Sequence, residues 1–145
     1  MGTNFEEIYD VFLSQISDPV FMQRDGNDLL KYRYLLNSIP RFRRCKKDLR
    51  DRTEYTFNES LDDEEQLILG SLMVLEYLNP LIISIKNIEQ FMSTKDFSMT
   101  SQAAHLKQLL DMKDSKKIEV DKLILDYTYN NGDLSLLKWA IRINT

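Results

Sequence analysis

Three groups of side chains in the sequence have the chemistry for catalysis or for charge recognition. A nucleophile needs a base beside it, but the one cysteine, Cys45, and the one histidine, His105, are sixty residues apart. Four carboxylates stand together at residues 62–65. Seven of the nineteen Lys and Arg residues form the basic run at residues 41–52, within "IPRFRRCKKDLRDR". The basic run is the group that most needs a functional explanation.

The other groups have simpler structural explanations. A lone cysteine and a lone histidine this far apart are typical of structural positions, and zinc needs three or four ligands at workable spacing. The carboxylates at residues 62–65 lie where a helix begins, and the helix dipole favours negative charge there. The four glycines are scattered at positions 2, 26, 70 and 132 and form no phosphate-binding loop. We therefore predict no catalytic residue, no metal, no cofactor and no enzymatic activity.

The basic run is a local exception in an acidic protein. Residues 41–52 carry seven positive and two negative charges, a net +5, whereas the rest of the chain carries 12 positive and 21 negative charges, a net −9. A sequence-reading DNA-binding protein is usually basic overall. Composition leaves three interpretations open: a solvated surface, a docking face for a partner, or a non-specific contact with nucleic acid. The residues predicted to form this patch are Arg41, Arg43, Arg44, Lys46, Lys47 and Arg50.

The composition predicts an all-α fold behind this patch. A chain of 145 residues with 43% apolar and 29% charged residues is typical of one globular domain. Only 4 Gly and 3 Pro leave few breaks for a sheet of short strands. We expect a compact bundle of about five to six helices over residues 1–145, with a long C-terminal helix and a docking extension at 133–145. One cysteine fits a reducing compartment, and the acidic N-terminus predicts no signal peptide.

Capping residues and prolines predict the first helices. Thr3 and Glu6 have capping-box spacing, so the first helix should begin at Thr3 and end before Pro19. A second helix is predicted over residues 27–37. Pro40 should then open a short helical turn that carries the basic run.

The next predicted helix is unusually apolar. It follows a loop at residues 53–59, takes Ser60 as its N-cap and is apolar almost all round over residues 61–78, so part of its cover is expected from a neighbouring subunit. Residues 66–85 come nearest to a membrane span. Polar residues and Pro80 interrupt them, which favours two buried helices meeting at Asn79–Pro80 and no membrane association.

The last predicted helix runs from about residue 101 to residue 130. A polar connector precedes it, with Phe97 and Met99 as anchors, and its polar stretch at 113–117 should be exposed or broken. Gly132 should cap its end. Leucines of the two apolar helices, together with Phe97, are the predicted subunit interface: Leu72, Leu75, Phe97, Leu106 and Leu110.

An ordered series of segments resembles a known family. The segments are "NFEEIYDVFLSQISD", "SIPRF" leading into the basic run, "LDDEEQLILGSLMVLEYL", "KDFSMTSQAAHLKQL" and "DYTYNNGDLS", and they cover most of residues 4–135. Their order resembles that of the small virion proteins at the head–tail junction of tailed bacteriophages, the head–tail connector, adaptor or head-completion proteins.

The resemblance implies a mostly helical subunit that assembles as a homo-oligomeric ring beneath the portal. Such a ring extends the DNA channel, touches packaged DNA non-specifically and docks the next neck or tail protein. It implies a place in the virion after assembly in the cytoplasm of the host bacterium, with the portal and a neck or tail protein as partners. The closing "LKWAIRINT" departs from the family pattern, because it does not match a docking tail.

Two other functions stay open at this point. One is a small helical DNA-binding protein, such as a regulator or a small terminase subunit, which would need a recognition helix that the sequence does not show. The other is a non-enzymatic accessory factor that binds another protein through its acidic surface. Little in the sequence separates the accessory factor from the connector.

Overall fold

One long helix lies at the centre of the fold. The structure is a computed structural model that describes residues 2–17 and 28–130. Its helices are α1 (Phe5–Leu13), α2 (Asp28–Ser38), α3 (Asp63–Phe91), α4 (Thr94–Ser98) and α5 (Ser101–Asn130), with a 3₁₀ turn at Ile39–Arg41 and a two-stranded antiparallel pair, β1 (Thr3–Asn4) and β2 (Thr56–Phe57). The long α3 packs against α1, α2 and α5. The predicted all-α fold with a long last helix is therefore confirmed.

The first helix begins two residues later than the sequence predicted. Asn4 is the N-cap, and its Oδ1 accepts a hydrogen bond from the backbone N–H of Glu6 at 2.9 Å. Thr3 lies in β1 instead, and its hydroxyl oxygen accepts a hydrogen bond from the backbone N–H of Leu61 at 2.7 Å. Pairing of β1 with β2 therefore takes Thr3 out of the helix. The helix already ends at Leu13, and the predicted break at Pro19 lies outside the described residues.

The start of α3 corrects two further predictions. Its N-cap is Asp62 and not Ser60. The Asp62 side chain accepts a hydrogen bond from the backbone N–H of Glu65 at 2.8 Å, and Glu65 Oε1 accepts one from the backbone N–H of Asp62 at 2.9 Å. This reciprocal box satisfies two backbone groups at once, which a cap at Ser60 would not. The predicted loop at 53–59 contains β2.

The predicted break at Asn79–Pro80 is wrong, because α3 continues through it to Phe91. A proline inside a helix costs about 3 kcal/mol, since its ring displaces one backbone hydrogen bond. Beyond Pro80, Ile82 and Ile85 are each buried, and burial of such a side chain stabilises by about 1.5–3 kcal/mol. The two isoleucines offset the proline, whose ring is exposed to solvent.

The chain itself covers the central part of the apolar α3. Every residue from 68 to 76 is buried, whereas Leu67 is exposed, so cover of the rest of residues 61–78 by a neighbouring subunit stays a prediction. Among the described helices, α3 alone is long and apolar enough to cross a membrane by length and composition, with a mean hydropathy of 1.7 in its most apolar window. However, 61% of that window is buried inside the protein. That burial is typical of a core helix.

The connector and the last helix agree with the prediction in most respects. Residues 93–101 contain the short helix α4, and its Phe97 is buried as predicted, whereas Met99 is exposed. The last helix, α5, runs unbroken through residues 113–117, whose side chains are exposed or half-buried. The predicted cap at Gly132 and the docking extension at 133–145 lie outside the residues that the structure describes.

Gly70 lies where α3 is in close contact with α1. A Cβ atom there would lie 2.6 Å from Val11 Cγ1 and 3.1 Å from the backbone nitrogen of Phe12. We expect Gly70→Ala to destabilise the protein by about 1–2 kcal/mol, because overpacking outweighs the better helix propensity of alanine. Chemical denaturation measures this, with Asn87→Ala on the exposed side of α3 as the control. Equal stabilisation of both variants would contradict the close approach.

Candidate functional site

The basic run is an irregular segment held down by two apolar side chains. Only Arg41 lies in the 3₁₀ turn, so the prediction that a helical turn carries the whole run is wrong. Phe42 and Leu49 are buried. The Phe42 ring packs edge-on against Tyr127 in the last turn of α5, with ring centroids 5.1 Å apart. The segment therefore has a defined position against the helices.

A buried carboxylate fixes the segment more strongly. Glu65 is fully buried, and it receives four hydrogen bonds. Its Oε1 accepts from Lys47 Nζ at 3.0 Å and from the backbone N–H of Asp62 at 2.9 Å. Its Oε2 accepts from the Tyr127 hydroxyl at 2.7 Å and from Cys45 Sγ at 3.6 Å. We call these residues the Glu65 cluster.

The Tyr127 hydroxyl extends the Glu65 cluster to the backbone of the basic run. It accepts a hydrogen bond from the backbone N–H of Lys46 at 2.9 Å while it donates to Glu65. One phenol thus connects the run, the start of α3 and the end of α5. A buried charge is tolerated only when it is paired and hydrogen-bonded in this way.

The Glu65 cluster sets the protonation of its members. Burial by itself would raise the pKa of Glu65, but hydrogen bonds from Tyr127, the Asp62 backbone and Lys47 outweigh it and hold that pKa below its usual value. The hydrogen bond to Glu65 raises the pKa of Lys47. Burial, followed by the hydrogen bond to Glu65, raises the pKa of Tyr127. The cluster therefore contains a carboxylate, an ammonium group and a neutral phenol at neutral pH.

Cys45 belongs to this cluster as a donor. Burial raises its thiol pKa to about 11, so the sulfur is a thiol and not the thiolate that nucleophilic chemistry uses. His105 lies on the exposed side of α5. Within residues 2–17 and 28–130, no three His, Cys, Asp or Glu side chains are grouped as metal ligands would be.

Arg41 neutralises a second acidic residue of α3. Its Nε lies 2.9 Å from Glu76 Oε1, and Glu76 is buried among the apolar residues of the helix. The contact is an ion pair without hydrogen-bond geometry, so this buried oxygen accepts no hydrogen bond from the described residues. The guanidinium itself is half-exposed. Arg41 thus serves the core as a counterion.

The structure therefore divides the predicted patch into two sets. Arg41 and Lys47 turn toward buried carboxylates. The other side chains are exposed, and of them Arg50 lies 3.4 Å from Asp48 in an exposed ion pair of the weak kind. The exposed set comprises Arg43, Arg44, Lys46 and Arg50. This set is what the run offers to a partner.

The predicted interface residues lie in the core of the chain. Leu110 is partly buried and packs against that core. The remaining four are buried without any second chain: Leu72, Leu75, Phe97 and Leu106. Their assignment to a subunit interface stays a prediction, and the chain itself already covers them.

Sequence reasoning missed three residues that form the site, namely Glu65, Glu76 and Tyr127. A local signal for Glu65 was present, since Asp62 and Glu65 have capping-box spacing inside the acidic run. No local signal links Tyr127 to residue 46, because the two are separated by 81 positions. For Glu76, the available signal was a single acidic residue inside an apolar helix. A buried carboxylate needs a counterion, so this signal predicts a cation from elsewhere in the chain.

No protein-family model matches the chain, and no curated protein or solved structure matches it either. The geometry of the site is therefore the basis on which a function is proposed.

Removing the charge of Glu65 tests the role of its cluster. We expect Glu65→Gln to lower the free energy of unfolding by about 3 kcal/mol, because Lys47 would lose its counterion. Chemical denaturation measures the change. Asp63→Asn removes a neighbouring exposed charge and should cost less than about 1 kcal/mol. Similar losses in both variants would show that the buried carboxylate is not special.

The pH dependence of stability follows from the lowered pKa of Glu65. A glutamate in an unfolded chain has a pKa of about 4.3, and the pKa of Glu65 in the folded protein is lower than its usual value. Its stabilising contribution is therefore complete above about pH 4.3 and is lost as the pH falls through the folded pKa. We expect the stability difference between wild type and Glu65→Gln to shrink over this acid range in urea titrations. A difference that stays constant from neutral to acid pH would contradict the assignment.

Proposed function

We propose that this protein is a structural subunit of the head–tail junction of a tailed bacteriophage. In this proposal it is a connector or adaptor that forms a homo-oligomeric ring beneath the portal, extends the DNA channel and docks the next neck or tail protein. The all-helical fold supports the proposal, because a mostly helical subunit is what the family resemblance implies. The observation that carries it is that the cations of the basic run form two sets. The inner cations, Arg41 and Lys47, pair with buried carboxylates. The outer cations have exposed side chains: Arg43, Arg44, Lys46 and Arg50.

Inner cations hold the segment while outer cations face solvent. Lys47 and Arg41 each pair with a buried carboxylate of α3, so the backbone between them is fixed before any partner arrives. Binding to a preorganised surface costs less conformational entropy than binding to a loose one. A local cationic surface on an acidic protein suits a junction where DNA must pass without a tight grip.

The acidic remainder of the chain supports a protein partner equally well. Outside residues 41–52 the net charge is −9, so the run of one copy is attracted to the surface of another. Such contacts between different faces of identical subunits close a ring. Complementary charges of this kind also speed association at low salt.

Charge reversal of two outer cations tests the proposal. We expect Arg43→Glu with Arg44→Glu to reduce ring assembly on the portal protein about ten-fold or more, because the reversed run would then face the acidic surface of the neighbouring copy. Negative-stain microscopy of the two proteins mixed, and counts of infectious particles, measure this. The matched control reverses Lys107 and Lys122, which are exposed on α5. Unaltered particles would assign the run to solvated surface, and failure of the wild-type protein to associate would contradict the connector.

The exposed cations also favour a second candidate, a small helical DNA-binding protein. Side chains such as Arg43 and Arg50 could contact phosphates. A gel shift with a preference for one DNA sequence, abolished by Arg43→Glu, would replace the connector with this function. Weak binding that ignores sequence and disappears with salt would be consistent with a channel surface instead.

A further inference from the structure

The last part of α5 carries large apolar side chains on its outward face. Ile118 is 71% exposed, Leu125 56% and Tyr129 60%. Because about 3.6 residues make one helical turn, the spacing of these positions keeps their side chains on one face. Val120 and Tyr127 lie on the opposite face and are buried. We call the outward face the outer stripe of α5, and its residues are Ile118, Lys122, Leu125 and Tyr129.

The same face of α5 is different nearer the start of the helix. Its exposed residues there are small or charged: Ala104, Lys107, Asp111 and Asp114. A helix face that only meets water normally carries polar residues, as this first part does. Exposed apolar side chains that are grouped on one face mark a contact surface more often than single ones do. The outer stripe therefore calls for a partner that covers it.

Two charges accompany the apolar side chains. Lys122 lies inside the outer stripe, and Asp126 lies at its border one helical turn later, both exposed. The neighbouring Asp121 already pairs with Lys117 at 3.2 Å. Among the described residues, in contrast, neither Lys122 nor Asp126 has an ion-pair partner. A partner that fits the outer stripe should thus bring a carboxylate for Lys122 and a cation for Asp126.

A second copy of α5 brings these charges when it lies antiparallel across the outer stripe. If the two-fold axis passes at the level of Ile124, Lys122 is two residues before it and Asp126 is two residues after it. Lys122 of one copy then lies at the level of Asp126 of the second copy. Both residues lie on the same side of the stripe, and a two-fold axis perpendicular to the helices keeps that side. Two identical ion pairs therefore form across the contact.

The same register brings the apolar side chains together. The two copies of Leu125 face each other, because each is one residue beyond the axis. Ile118 is six residues before the axis and Tyr129 is five residues after it. At about 1.5 Å of rise per residue, Ile118 of one copy lies within about 1.5 Å of the level of Tyr129 of the second copy. One register thus matches both the charges and the apolar groups.

Other occupants fit the outer stripe less well. A helix that lies on a membrane surface carries Lys and Arg on its polar face, whereas the residues that border this stripe include Asp114, Asp121 and Asp126. These carboxylates also repel the phosphates of nucleic acid. An unrelated protein would have to reproduce the order of charges and apolar groups. A second copy of the chain already carries that order.

We infer that the outer stripe of α5 is the docking surface for a second copy of this chain, which binds antiparallel through Lys122 and Asp126. The contact uses the same surface twice, so it closes as a pair. A ring needs two different surfaces, so this inference does not rest on the proposed function. One helix from each copy makes a small interface, below about 1,200 Å² in total, so the pair is weak and reversible.

Sedimentation equilibrium of the full chain at low salt tests the pair, over concentrations from micromolar to millimolar. In Lys122→Asp two carboxylates face each other across the contact, and in Asp126→Lys two ammonium groups do. Leu125→Glu removes the central apolar contact. The matched control is Lys107→Asp, on the same face but nearer the start of α5. Circular dichroism and thermal unfolding confirm that each variant is folded.

We expect the wild type to pair reversibly, and Lys122→Asp and Asp126→Lys each to weaken pairing about ten-fold or more. An equimolar mixture of these two variants should recover pairing to within about three-fold of the wild type, because every cross-helix pair then joins opposite charges. Leu125→Glu should abolish pairing, and the control should pair normally.

Three results would overturn the inference: a wild-type protein that stays monomeric up to millimolar concentration, single charge variants that pair as the wild type does, or a mixture that pairs no better than its components. A lower thermal stability of Leu125→Glu without a change in mass would show that another part of the same chain covers the stripe. That result would overturn the inference as well.

The variant that reverses Lys107 and Lys122 distinguishes this inference from the proposed function. We expect it to lose the pair but to keep ring assembly on the portal, because a ring closes through other surfaces. If the wild type pairs but forms no ring on the portal, the connector fails and the pair stands. If it forms the ring but shows no pair at any concentration, the pair fails and the connector stands.

Discussion

The buried charge of Glu65 is the constraint on which the rest of this structure depends. A carboxylate without solvent must find donors for both oxygens, and these come from Lys47, the backbone of Asp62, Tyr127 and Cys45. Those donors belong to three separate parts of the chain. Satisfying one side chain therefore fixes the start of α3, the last turn of α5 and the irregular basic run relative to one another.

The same requirement explains why a strongly basic stretch can sit on an acidic domain without being a purely electrostatic patch. Two of its cations form ion pairs with buried carboxylates, Lys47 with Glu65 and Arg41 with Glu76. Apolar residues of the run join the core beside them. What remains outside is a smaller set of exposed charges on a fixed support. Charge density in the sequence thus overstates the charge that is presented to partners.

Much of the fold could be predicted from local patterns, whereas the site could not. Helical spacing was sufficient for the long α5. Apolar character between polar neighbours predicted both Phe97 and Met99 as anchors, but only Phe97 is buried. Local rules failed where distant partners decide. Thr3 has a good capping sequence but pairs in β1, and Pro80 should end a helix but is outweighed by Ile82 and Ile85. No local sequence pattern around Lys46 or around Tyr127 predicts the hydrogen bond between them.

The bond between the Lys46 backbone and Tyr127 spans 81 residues, and this distance has a consequence for biosynthesis. During translation the basic run leaves the ribosome long before the residue that fixes it. Its outward surface is therefore completed by one of the last turns of α5 to emerge, after α1, α2 and α3 are already available to pair. An interrupted chain could build much of the helical core, yet it would lack the shaped surface. Partners that bind this surface would therefore meet its complete form only after Tyr127 has been synthesised and α5 has packed.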